Sequence, residues 1–142
     1  WAAGDARGVA AVVDVLKSLN CNLILTYYGS FLADLAADAG DFPAAIAHVE
    51  DCLAMCDRFD ERAFEAELSR HRALFELRLP RPDLGVVRAS LARARALARE
   101  RGTLRFEAAA VRDQQRAFGD SAELSDRLAR IYELAPDLKD EA

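Results

Sequence analysis

A histidine and two cysteines follow one another at four-residue spacing, at His48, Cys52 and Cys56. Imidazole and thiolate are good zinc ligands, and this spacing places the three side chains on one face of a helix. At 1.5 Å rise per residue, however, His48 and Cys56 lie about 12 Å apart along the axis, too far for one zinc ion to bind both. Only Cys21 and His71 remain as further ligands of this kind. The sequence therefore predicts packing roles for these residues and no metal site.

The second histidine, His71, lies on an apolar helical stripe with Phe64, Leu68 and Phe75. Catalysis by its imidazole would need a nucleophile and an orienting acid nearby. The chain contains no Gly-x-Ser-x-Gly segment, phosphate-binding loop or dinucleotide-binding fingerprint. The sequence therefore favours a histidine that packs between helices, and we expect neither an enzymatic activity nor a bound cofactor.

The composition is that of one globular domain. Of the 142 residues, 52% are hydrophobic and 30% are charged. The net charge is −7 over residues 1–65, +5 over residues 66–101 and −3 over residues 102–142. An acidic chain whose basic middle lacks interleaved aromatic residues does not predict binding to nucleic acid. No apolar run approaches the roughly 20 residues of a membrane span, and three cysteines suit a reducing compartment, so we expect a cytoplasmic location.

The apolar residues recur at three and four positions, which predicts helices, and no segment alternates as a strand does. Seven helices are expected, at about residues 5–19, 23–39, 42–59, 61–79, 83–101, 104–118 and 120–135. The short connections make neighbouring helices antiparallel. The resulting hairpins cover residues 22–59, 60–101 and 103–136, after half of a pair at 1–20. We therefore predict an all-α fold of stacked hairpins that forms a single domain over residues 1–142.

The segment Gly40–Met55 has the most specific pattern in the chain. Gly40 ends one helix, Asp41 caps the next, and Phe42 fills the corner between them. On these residues Tyr28–Leu53 resembles a tetratricopeptide repeat. Gly29 departs from the family pattern because it stands where the repeat has its signature tryptophan.

A wider resemblance covers nearly the whole chain. The segments Leu91–Gly102 and Gly119–Tyr132 are similar to the C-terminal helical region of large bacterial signalling ATPases. In those proteins a cyclase, kinase or DNA-binding module is joined to an ATPase and a tetratricopeptide-like tail. The resemblance implies a right-handed superhelix of hairpins, and the start at Trp1 suggests a piece of a longer protein.

The resemblance also implies a binding groove lined by one face of the first helix of each hairpin. On this chain the residues of that face are Tyr27, Ser30, Asp34, Asp38, Glu67 and Arg70. An ordinary solvated helix face accounts for them equally well. Arg88, Arg95 and Arg99 lie near one face of the fifth helix and form a candidate basic patch for an acidic partner domain or a phosphate group. A solvated face with local ion pairs is the alternative.

These patterns specify packing and not chemistry, so the leading hypothesis is a protein-interaction and regulatory module. Its partner would be another protein or the upstream domains of its own chain. The alternative is a small-molecule sensor in which Tyr27, Arg70 or His71 supply polar groups. A DNA-binding module ranks lower, because only the arginines suggest it. Since the ends of a repeat series expose apolar faces, we also predict a homodimer through the terminal helices.

Overall fold

The computed structural model describes residues 5–19, 25–60 and 62–139. Within these ranges it contains seven α-helices, a short 3-10 helix and no β-strand. The elements are α1 (Ala6–Ser18), α2 (Leu25–Asp38), α3 (Phe42–Phe59), α4 (Glu65–Glu76), α5 (Leu84–Glu100), α6 (Leu104–Phe118), α7 (Ala122–Leu134) and the 3-10 helix Pro136–Lys139. This confirms the prediction of an all-α chain with seven helices.

The start of α3 agrees with the sequence prediction because the residues at this boundary are strong local signals. The Asp41 carboxylate accepts the backbone N–H of Ala44 at 3.0 Å, which satisfies one of the free amides of the first turn. Pro43 lies in that turn, where its missing N–H has no cost. Gly40 has a φ of +80°, a conformation that only glycine adopts without strain.

The fourth helix is shorter than predicted at both ends. We expected a helix over residues 61–79, but α4 covers Glu65–Glu76, with Phe64 as its N-terminal cap. At the other end the Glu76 carboxylate accepts the backbone N–H of Asp83 at 2.9 Å. This bond closes the loop that contains Pro80 against the end of the helix. Residues 77–79 form a turn and a bend in place of a last helical turn, so the helical period alone did not indicate where α4 ends.

The seventh helix begins at Ala122, close to the predicted start at about residue 120. Ser121 is its cap, and its hydroxyl accepts the N–H of Leu124 at 3.3 Å. Asp120 accepts hydrogen bonds from the Gln115 side chain at 2.7 Å and from the Ser125 hydroxyl. The carboxylate thereby joins α6 to α7 across their connection.

Helices that follow one another in the chain pack against one another throughout. We call α2–α3, α4–α5 and α6–α7 the first, second and third hairpins, and α2, α4 and α6 the first helices. The first helices α4 and α6 also contact each other directly, although they are not consecutive. This packing is consistent with stacked hairpins, while the right-handed superhelix stays a prediction.

The largest apolar cluster lies among α2, α3 and α4. Its fully or nearly fully buried members are Ala33, Ala45, Val49, Cys52, Cys56, Leu68 and Phe75. Cys52 and Cys56 are each 1% exposed, which confirms the packing role predicted for them, and His48 is half-buried beside them. Cys21 lies outside the described residues. In the parts of the chain that the structure describes, no three His, Cys, Asp or Glu side chains are placed to hold a metal ion.

Large apolar side chains are exposed near both ends of the described chain. Val15 on α1 is 55% exposed, and Leu19, which caps the end of α1, is 69% exposed. Leu134 is 70% exposed at the end of α7. Dimerisation through these surfaces stays a prediction. None of the described helices combines the length and the apolar character that crossing a membrane requires.

Candidate functional site

Four aromatic side chains form a continuous row across the three first helices. Tyr27 and Phe31 come from α2, Phe64 from the cap of α4, and Phe106 from α6. The Tyr27 ring lies 4.8 Å from Phe31 and 5.0 Å from Phe64, and Phe64 lies 6.3 Å from Phe106, all between centroids. Such separations are typical of favourable aromatic pairs. We call these four residues the aromatic row.

Part of the aromatic row is open to solvent. Tyr27 is 39% exposed and Phe31 is 38% exposed, although both rings contact other aromatic rings. Scattered exposed apolar residues are ordinary, whereas adjoining aromatic rings on a helical surface are typical of interfaces. The row therefore offers apolar area that the fold itself does not cover.

A chain of charged side chains crosses the same three helices beside the aromatic row. It begins on α2, where Asp34 Oδ1 lies 3.4 Å from Nδ1 of His71 on α4. On its other side the His71 Nε2 atom lies 3.3 Å from Oε1 of Glu67. The same Glu67 carboxylate accepts two bonds from the Arg70 guanidinium, at 2.6 and 2.9 Å. Four side chains thus connect α2 with α4.

Arg70 continues the chain to the third hairpin. Its Nη1 donates to Oδ2 of Asp113 on α6 at 2.6 Å, and Arg116 approaches the other Asp113 oxygen at 3.3 Å. Arg70 and Asp113 are well buried, with side chains only 16% and 7% exposed, while Arg116 is 68% exposed. We call Asp34, His71, Glu67, Arg70, Asp113 and Arg116 the charged network.

The two acids that flank His71 have opposite pKa shifts. Burial alone would raise the pKa of Glu67, but hydrogen bonds from Arg70 and His71 outweigh it and lower this pKa to about 2. Burial also raises the pKa of Asp34, and the nearby charges of Asp38 and Glu67 raise it further, against the opposing effects of His71 and Arg70. The Glu67 carboxylate is therefore stabilised by its partners, whereas the Asp34 carboxylate is under-compensated.

The geometry around His71 explains part of this difference. Its Nδ1 atom is buried and makes no hydrogen bond within the described chain, although Asp34 is close enough for an ion pair. The imidazole packs against Phe75 at 5.5 Å between ring centroids. His71 is thus the packing residue predicted from the sequence, and it also bridges two acids, a polar role that its position on an apolar stripe did not indicate.

The structure brings most of the predicted groove residues together. Asp34, Glu67 and Arg70 belong to the charged network, and Tyr27 belongs to the aromatic row. Ser30 donates its hydroxyl to the carbonyl of Tyr27 within its own helix, at 2.7 Å. Asp38 is exposed at the last residue of α2. A groove-lining function for these six residues stays a prediction.

The predicted groove set lacks six members of the site: Phe31, Phe64, His71, Phe106, Asp113 and Arg116. A repeated pattern in the sequence would have found four of them, Phe64, His71, Phe106 and Asp113. Each first helix has an aromatic residue followed seven positions later by a titratable side chain, in the pairs Tyr27/Asp34, Phe64/His71 and Phe106/Asp113. Seven positions are two helical turns, about 10 Å along one face. The aromatic row and the charged network therefore run side by side on one surface, which we call the first-helix face.

Two buried glutamates fix the first helices to the second helices behind them. Glu65 is 2% exposed and accepts hydrogen bonds from Arg93 at 2.6 Å and Arg101 at 2.9 Å, both at α5. Glu107 is also 2% exposed and binds Arg127 of α7 through two bonds of 2.6 Å. Burial opposes ionisation of Glu65, but its arginine partners lower its pKa overall. These pairs hold the first-helix face in position.

The three arginines of the predicted basic patch have different surroundings. The Arg88 guanidinium lies 4.0 Å from the ring centroid of Phe118. Arg95 donates to Gln114 and to Glu123, at 3.2 and 3.1 Å. Arg99 lines a cleft of about 590 Å³ among α5, α6 and α7, whose walls carry four arginines and four acidic residues. The surface around this patch is therefore balanced in charge, and docking there stays a prediction.

Comparisons of the chain with family models, with curated proteins and with solved structures gave no match.

Proposed function

We propose that this domain binds a segment of another protein, or of an upstream part of its own chain, across the first-helix face. The observation that carries the proposal is the exposed aromatic row lying directly beside the charged network. Aromatic residues contribute most of the energy at many protein interfaces, and neighbouring polar groups determine register and specificity. The proposal is a binding function without catalysis.

The surface is suited to this function because it is rigidly supported. The buried glutamate–arginine pairs at Glu65 and Glu107 hold α4 and α6 against the helices behind them. A preorganised surface loses less entropy on binding than a mobile one. If the chain has the architecture it resembles, the domain would act as a docking arm of a larger regulatory protein.

The proposal can be tested with peptides selected from a random dodecapeptide library on the purified domain. We expect Phe31→Ser to weaken the selected peptides at least about tenfold, because Phe31 is exposed and contributes apolar contact area. Leu134→Ser is the matched control, since Leu134 is also exposed but lies at the end of α7. Equal affinities for the two variants and the unaltered domain would contradict the proposal.

The charged cleft favours a second candidate, a small-molecule sensor. Its volume of about 590 Å³ is in the range of ligand sites. Its lining is mostly charged, however, and Arg127 and Glu107 already bind each other within it. We expect metabolites screened by thermal shift to leave the melting temperature unchanged. A metabolite that raises it, and loses this effect in Arg99→Ala, would favour the sensor instead.

A further inference from the structure

The first hairpin is acidic to a degree that the fold does not require. No lysine or arginine lies between Lys17 and Arg58, whereas the same interval carries six acidic residues: Asp34, Asp38, Asp41, Glu50, Asp51 and Asp57. Three of the six are bound by a backbone amide or by an arginine. Asp41 caps α3, Glu50 accepts a bond from Arg72, and Asp57 pairs with Arg62.

The two acids on the first-helix face lack such compensation. Among the described residues, Asp34 has only His71 as a close partner, and Asp38 makes no hydrogen bond or ion pair. Asp38 is the last residue of α2, where the partial negative charge of the helix terminus disfavours a carboxylate, and Asp34 lies one turn before it. Burial and the neighbouring Asp38 raise the pKa of Asp34, which is a second sign of this unfavourable position. A cation placed here would relieve both.

The aromatic rings beside these acids also suit a cation. Tyr27 and Phe31 are exposed on α2, one to two turns before Asp34. Arginine and lysine are attracted to aromatic faces as well as to carboxylates. The chain itself uses this contact at Arg88 and Phe118, with 4.0 Å between the guanidinium carbon and the ring centroid.

We propose that the segment bound at the first-helix face is cationic, with an arginine or lysine against Asp34 and Asp38 and an apolar side chain against Tyr27 and Phe31. This inference rests on the proposed function and adds the chemistry of the partner. An acidic segment would meet the unpaired Asp38 carboxylate and the under-compensated Asp34 carboxylate at this end of the face. At the α6 end of the face, the exposed Arg116 already forms an ion pair with Asp113.

The test uses the same peptides selected on the purified domain, now examined for composition and for their response to charge removal. We expect enrichment in arginine or lysine next to leucine or an aromatic residue. In the double variant Asp34→Asn with Asp38→Asn, the affinity of these peptides should fall at least about tenfold, and its salt dependence should decrease. Asp14→Asn with Asp51→Asn is the matched control, because it removes the same charge from exposed positions outside the face.

The outcomes separate the two proposals. Peptides that respond to Phe31→Ser but are neutral or acidic, and are unaffected at Asp34 and Asp38, would overturn the cationic partner and leave the binding face intact. Cationic peptides weakened equally by both double variants would indicate attraction to net charge alone, and would also overturn it. Failure to recover any peptide that responds to Phe31→Ser would overturn both proposals.

Discussion

The first hairpin and the two hairpins that follow it are held together in different ways. In the first hairpin, α2 and α3 meet through small and apolar residues, with Ala33, Ala45, Val49 and Cys52 all nearly inaccessible. In the second and third hairpins, buried carboxylates bind arginines across the helices, as at Glu65 and Glu107.

This difference determines which charges are available to a partner. In the later hairpins the buried acids Glu65 and Glu107 are held in ion pairs with arginines, and loss of an arginine partner would leave a buried charge uncompensated. Close apolar packing in the first hairpin needs no charged group, so its acids remain on the surface. The later hairpins therefore form a scaffold, and the first hairpin presents the acids that we propose for binding.

The largest loss of stability is expected when Arg70 is replaced by Met. This substitution leaves Glu67 and Asp113 without their shared partner, and Asp113 is 7% exposed. Removing one member of such a buried pair costs about 3–5 kcal/mol of unfolding free energy, which urea denaturation would measure. Arg116→Met is the control, since Arg116 is 68% exposed and its removal should cost about 1 kcal/mol or less. Similar small losses for both variants would show that the network is not structural.

The close apolar packing of the first hairpin predicts a smaller effect at Gly29. A methyl group added there would overlap the Cys52 sulfur. Overpacking lowers the unfolding free energy by about 1–3 kcal/mol, and the better helix propensity of alanine offsets up to about 1 kcal/mol of this loss. Gly29→Ala should therefore lower the unfolding free energy by about 1–2 kcal/mol. In a Cys52→Ala background the same substitution should be neutral or stabilising. An equal loss in both backgrounds, measured by urea denaturation, would contradict this packing.

Acid should weaken the scaffold through Glu67. Its pKa is lowered from 4.5 to about 2 in the folded chain, so its contribution is complete above the unfolded pKa of 4.5 and is lost as pH falls towards 2. The unfolding free energy should therefore decrease over this window, and the decrease should be smaller in Glu67→Gln. Glu133→Gln, on an exposed part of α7, should retain the full decrease. Identical pH profiles for all three proteins would contradict the assignment.

Ionisation of Asp34 should affect stability in the opposite direction from ionisation of Glu67. Its pKa is raised, chiefly by burial, so its ionised form is a cost to the folded chain at neutral pH. Because the side chain is 45% exposed, the effect is small, and Asp34→Asn should leave the unfolding free energy unchanged or raise it by up to about 0.5 kcal/mol. A loss of more than about 1 kcal/mol would mean that Asp34 is a structural residue like Glu67.

Local signals in the sequence predicted the first hairpin well. Gly40, Asp41 and Pro43 determine the start of α3, and the helical period places Asp34 on the face that the resemblance assigned to a groove. The same period correctly placed Glu67 and Arg70 on α4. These features depend on residues only a few positions apart, so a single sequence contains them.

Long-range partners could not be predicted in this way. Arg70 and Asp113 are 43 positions apart, and nothing in the local pattern of either helix indicates that they meet. The charge balance of the cleft at Arg99 required the position of α7, which contributes Glu123 to its wall. A helical pattern specifies faces, and the three-dimensional packing specifies which faces oppose one another.

The most direct test of the proposed division into binding face and scaffold is a backbone amide NMR titration of the domain with one selected peptide. We expect the largest shift changes at the amides of Tyr27, Phe31, Asp34, Phe64 and Phe106, with little change in α5 and α7. Changes concentrated instead around Arg99 and Arg130 would contradict the proposed binding face and place binding in the cleft among α5, α6 and α7.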